Sequence, residues 1–124
     1  MARLARLAGA LATLAVSSAL LASCGTGSAT SDVRHSCVYV KRALAIEAQS
    51  QQSGLTSARR NELEGEAIGE LLKATPSAAA ATSIDGSWNP LMTTINEAER
   101  VPLPDLRASL TRLCRIADSQ TPYI

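Results

Sequence analysis

Three cysteines, one histidine and a row of glutamates are the residues of this chain best suited to chemistry. Cys24, Cys37 and Cys114 offer thiols for acylation, for a disulfide or for metal. His35 stands between Asp32 and Cys37, a neighbourhood that invites a cysteine–histidine nucleophile or a zinc ligand. Zinc needs three or four protein ligands, and there is no second histidine. His35 therefore reads as a surface residue near a helix start. Serines are plentiful, but none lies in Gly-x-Ser-x-Gly, and one histidine would have to serve any triad. Glu62, Glu66 and Glu70 fall four residues apart on one helical face, with Glu64 nearby. Three carboxylates in a row attract a hard cation, yet like charges at that spacing repel. Metal sites in bundles also draw ligands from facing helices, often with Glu-x-x-His. The row reads as a solvated face partnered by Arg59, Arg60 and Lys73. No catalytic constellation, metal motif or nucleotide loop emerges, and neither cofactor nor metal is expected.

The first residues carry a different kind of signal. Arg3 and Arg6 make a short positive segment without acids. Leu7 to Ala22 follows as an uncharged Ala/Leu/Val run, broken only by Gly9, Thr13, Ser17 and Ser18. At roughly 15 residues the run is short for a spanning helix, which needs about 20, and its layout is that of a secretory signal. The two arginines are not adjacent, which disfavours the twin-arginine route. The run ends in Leu21-Ala22-Ser23-Cys24. This resembles the lipobox of bacterial lipoproteins, in which a leucine and two small residues precede a cysteine. The resemblance covers about the first 24 residues. It implies that residues 1–23 are removed and that Cys24 becomes a lipidated N-terminus. Two acyl chains give stable anchoring where one does not. The expected location is then the outer face of the cell membrane. A plain secretory signal ending near Ala22 and an uncleaved membrane helix are the competing readings.

Removing 23 of 124 residues leaves 101, enough for one small domain. Two of the 12 basic residues leave with the leader, so ten remain against 11 acids. That balance argues against nucleic acid and against a polybasic membrane patch. A two-lobed solute-binding protein and a typical α/β hydrolase both need a longer chain. Phenylalanine is absent, and Tyr39, Trp88 and Tyr123 are the only aromatics. An Ala/Leu-rich apolar set suits close-packed helices, whereas a β-sandwich wants more Val, Ile, Thr and Tyr. The Ala/Arg-rich, lysine-poor usage points to a high-GC genome, such as an actinobacterial one.

The elements that must position these residues follow from periodicity. Residues 24–31 read as a Gly/Ser/Thr tether, residues 32–118 as a helical domain, and 119–124 as a tail. Ser31 or Asp32 caps a first helix with Val33, Cys37, Val40 and Leu44 on its stripe. Gly54 suits a left-handed stop. Thr56 or Ser57 caps a second helix, with Leu63, Ala67 and Leu71 four apart. Ser77 to Ser83 is alanine-rich and is either a short helix or plain connector, with a buried face that is not readable. Asn89 reads as the cap and Pro90 as the first residue of another helix carrying Leu91, Ile95 and Ala98. The clearest stripe is Leu103, Leu106, Leu110, Leu113 and Ala117, with Arg107, Arg112 and Arg115 off the seam.

With Cys24 assigned to lipid, Cys37 and Cys114 remain, and outside the cytoplasm two such thiols are expected to pair. Two buried free thiols are the alternative, and a redox pair lacks Cys-x-x-Cys spacing. A disulfide between the first turns of the first helix and the end of the last demands an even number of long helices, because its Cα atoms must lie within about 7 Å. The expectation is an all-α, up-and-down four-helix bundle closed by Cys37–Cys114, with Pro76 to Ser87 as a long connector. Trp88, in the turn before Asn89, reads either as a staple of the helix entry to the core or as a half-exposed contact for a ligand or partner. The leading functional expectation is a non-enzymatic envelope module, held to the membrane through Cys24, that meets another envelope protein or wall polymer. The alternative is a small-ligand or lipid-binding module whose helices part near Trp88.

Overall fold

Helix α1, Gly27–Ser50, is the axis around which the rest is arranged. It belongs to a computed structural model that describes residues 27–120, with side chains from Ala29 onward. The leader, the lipobox and Cys24 lie outside the described residues, as does most of the expected tail, including Tyr123. Buried Ala29, Val33, Cys37, Val40, Ala43, Leu44 and Glu47 recur three or four apart along α1, the spacing of one helical stripe. The helix begins before its expected cap at Ser31 or Asp32, so residues 27–31 belong to it and not to the tether. Ala29 extends the stripe by one turn and is buried. Arg34 donates to the Ala117 and Gln120 carbonyls at the end of the last helix. Tertiary packing of this kind outweighs the weak helix propensity of Gly, Ser and Thr.

Gly54, at φ +84°, turns the chain back after α1, a conformation that only glycine adopts at little cost. Helix α2, Ser57–Leu72, starts where the Thr56 hydroxyl accepts the Arg59 N–H at 3.1 Å. Its Leu63, Ala67 and Leu71 are buried against the axis. Two cross-links show that α2 runs antiparallel to α1. Arg60 donates to the Ser50 carbonyl at one end, and Ser36 donates to the Ala74 carbonyl at the other.

The expected connector is itself helical. Helix α3, Thr75–Ile84, carries Pro76 in its first turn, where a missing N–H costs nothing. Ala74, Ala78 and Ala81 are fully buried, and α3 packs on α1 and on the following helix. A 3-10 turn at Gly86–Trp88 leads into α4, Asn89–Glu97. Asn89 is the first residue of α4 and not its cap. A short loop through Pro102 reaches α5, Leu103–Ser119, whose Leu103, Leu110, Leu113, Cys114 and Ala117 are buried.

The four expected helices are thus α1, α2, α4 and α5, in an all-α bundle with a fifth helical segment filling the connector. Cys37 and Cys114 are joined, with Cα atoms 5.5 Å apart. Cys37 lies near the middle of α1 and not in its first turns, because the helix begins early. The α1–α5 pairing is antiparallel, as the bridge requires: Arg34 meets Ala117, Cys37 meets Cys114, and Glu47 meets Arg107. None of the described helices is long and apolar enough to cross a membrane.

Candidate functional site: an acidic cleft at the end of α1

The residues singled out for chemistry are not gathered in one place. His35 is exposed on α1, edge-on to Tyr39 with ring centroids 5.4 Å apart. The Arg42 guanidinium lies 5.6 Å from the Tyr39 ring centroid, close enough for a cation–π contact. Cys37 is buried in its bridge, so His35 has no thiolate to activate. Glu62 and Glu66 are exposed, with Glu62 paired to Arg59 at 3.0 Å. Glu70 pairs with Lys73 through Oε1, while its Oε2 is buried without a hydrogen-bond partner among the described residues, as is Thr75 Oγ1. No three described His, Cys, Asp or Glu side chains converge on one point.

Trp88 is 4% exposed and belongs to the main core cluster. Its expected alternative as a half-open contact for ligand or partner gives way to the stapling role. The turn before it explains the burial. The Ser87 hydroxyl and, at 3.0 Å, the Ser87 N–H hold the Asp85 carboxylate, whose carboxyl stays below its ordinary pKa of 3.8. That cap sets the 3-10 turn and directs the indole inward.

The open space lies elsewhere. A cleft of about 430 Å³ is bounded by Glu47 of α1, by Glu64, Ala67 and Ile68 of α2, and by the Ala98–Pro104 segment that joins α4 to α5. Its size falls within the usual range for ligand sites. A second groove of about 260 Å³ runs between α1 and α5 beside Cys114, and neither space borders Trp88.

Glu47 is the residue at this cleft that sequence reasoning missed. It is 2% exposed, rare for a carboxylate unless it is paired. Its Oε2 pairs with Arg107, whose guanidinium also donates to the Leu44 carbonyl at 2.9 Å. Arg107 is the sole described donor to this carboxylate. A signal was present: Glu47 follows Leu44 by three residues and so continues the apolar stripe of α1. Arg107 starts off the α5 seam, as expected, but its length carries the charge back to α1.

The remaining charges around the cleft are mostly acidic. Glu64 and Glu99 are exposed, and neither takes part in an ion pair among the described residues. Arg100 is tied to Glu97. Helix α4 ends at the cleft, where its last carbonyls accept from the N–H groups of residues 98–101. Pro102 and Pro104 stiffen the rim by restricting φ. No protein-family model, curated protein or solved structure matches this chain.

Proposed function

We propose that this chain is a lipid-anchored module of the outer membrane face that works by contact, without catalysis, through the cleft at the end of α1. The anchoring half of the reading rests on Leu21-Ala22-Ser23-Cys24 at the end of a charged-then-apolar leader. Cys24 stands three residues before Gly27, the start of α1, and an extended chain spans at most about 3.5 Å per residue. Lipid on Cys24 would hold the start of α1 within roughly 10 Å of the bilayer. Glu47 lies 20 residues along α1 from Gly27, about 30 Å at 1.5 Å per residue. A lipid on Cys24 would then lie beyond the end of α1 opposite to the cleft.

The contact half rests on one observation above the others: a cleft of ligand size is lined by a buried carboxylate, Glu47, that is paired to Arg107. The competing lipid-binding reading needs an opening near Trp88, where the indole is packed into the core. A photo-crosslinking residue in place of Ile68, in the intact chain in cells, tests the proposal. The expected result is an adduct of discrete mass that is absent when the same probe replaces Val38, on the outer face of α1. Equal labelling at both positions, or none, counts against it. An unmodified Cys24 in the mass of the mature chain removes the anchor.

A further inference from the structure

We infer that the occupant of the cleft is a lysine- or arginine-bearing segment of a partner protein, its cationic head held between Glu64 and Glu99 and its aliphatic stem laid on Ile68, Val101 and Leu103. This rests on the contact reading above and assigns the chemistry of the contact. Three features converge on it. The first is apolar lining: Ala67, Ile68, Ala98, Val101 and Leu103 offer a surface for methylenes but few hydrogen-bonding groups. Long basic side chains bury their stems on such surfaces while the charge stays at the polar edge.

The second is unbalanced charge. The cations closest to the cleft are already engaged: Arg107 with Glu47, Arg100 with Glu97, and Arg60, one turn before Glu64, with the Ser50 carbonyl. Glu64 and Glu99 are left exposed and without described ion-pair partners. An anion or a phosphate would meet repulsion here. A neutral acyl chain would leave both carboxylates unused.

The third is the buried carboxylate. Glu47 lies at the cleft with 2% exposure and receives a single described donor, at Oε2. A carboxylate accepts several hydrogen bonds, so this one retains capacity for a further N–H donor. A free alkylamine would supply the head and stem but not the flanking backbone. The cleft is partly open to solvent and is lined by residues of α2 and of the Glu99–Pro104 segment, so a side chain can enter it from a chain that stays outside.

Two measurements decide the matter. The full lipidated chain, in detergent micelles, is titrated with acetyl-Ala-Lys-Leu-amide and followed by amide chemical shifts. The expected perturbations fall on residues 64–68 and 98–103, and weaken as salt is raised. Replacing the lysine by norleucine should abolish them. The Glu64→Gln/Glu99→Gln double variant should bind about tenfold more weakly, since each lost surface charge contact is worth under about 1 kcal/mol. Equal binding of the norleucine peptide overturns the assignment, and so does hexylamine binding as tightly as the peptide. In the second measurement, the adduct trapped at position 68 is mapped by mass spectrometry. A trapped peptide with a lysine or arginine at the crosslink supports the inference. A trapped glycan, a lipid or a peptide without either residue overturns it and leaves the contact reading standing. Absence of any adduct removes the contact reading, and the assigned occupant with it.

Discussion

Helices α1 and α5 are tied together by a disulfide and, further along, by an ion pair with a buried carboxylate, besides the surface contacts of Arg34 and Lys41 with the end of α5. Cys37–Cys114 joins them in an apolar setting with Val33, Val40, Leu110 and Leu113 buried in the same cluster. Ten residues further along α1, about 15 Å away, Glu47–Arg107 joins them again with a carboxylate removed from water. The sulfur tie needs no solvation, and both its cysteines are buried, with the smaller groove beside Cys114. The ionic tie needs hydrogen-bonding groups and some access to solvent, and it is there that the helices and the α4–α5 loop leave a cleft. A covalent link that already holds the pair lets the far half carry a polar group and an opening without parting the helices.

Breaking the ties one at a time tests that contrast. The largest effect is expected from Cys37→Ser with Cys114→Ser. Opening a link across 77 residues of sequence costs about 4 kcal/mol in the chain-entropy account. Chemical denaturation measures it, and a loss below about 1 kcal/mol would mean that sulfur is not the dominant tie. Next comes Arg107→Ala, which leaves Glu47 buried without its described partner. Breaking buried pairs costs about 3–5 kcal/mol, and the partial exposure of Arg107, at 41%, sets the expectation near the lower end. Glu47→Leu with Arg107→Leu removes both charges and should stay within about 1 kcal/mol of the parent. Similar costs for the single and double variants would show that the pair adds nothing beyond packing.

The cleft itself should separate binding from stability. Glu64→Gln and Glu99→Gln alter exposed groups, so unfolding free energy should move by no more than about 0.5 kcal/mol. A larger loss would make these carboxylates structural. The smallest effect concerns Asp85 and the turn that carries Trp88. Its folded carboxyl is held below 3.8 by Ser87, so the carboxylate stabilises the fold above that value. The contribution is lost as pH falls through the lower, folded value. Asp85→Asn should narrow its stability gap from the parent as the pH drops below 3.8. A gap that stays constant in acid would show that the charged cap does not set the turn.

Much of the bundle was readable from periodicity because α1, α2, α4 and α5 each carry apolar residues of mixed size at helical spacing. The α3 segment was not, because in Ser77–Ser83 alanine falls on every face and no pattern distinguishes inside from outside. Its burial against α1 was decided by neighbours that lie far away in sequence. The early start of α1 was hidden for a related reason. Gly27 to Ser31 has the composition of a linker, and its place in the helix goes with the burial of Ala29 and the contact of Thr30 with Gln120.

Local rules therefore established helix type, the Gly54 stop, the Thr56 cap as one of two choices, and the sulfur pairing. Each depends on residues close in sequence or on a count of thiols. The burial of Trp88, the reach of Arg107 to Glu47 and the acidic cleft required the folded chain. They depend on which side chains from α1, α2, α4 and α5 arrive at one point, and distance through space is a quantity that no window of sequence contains.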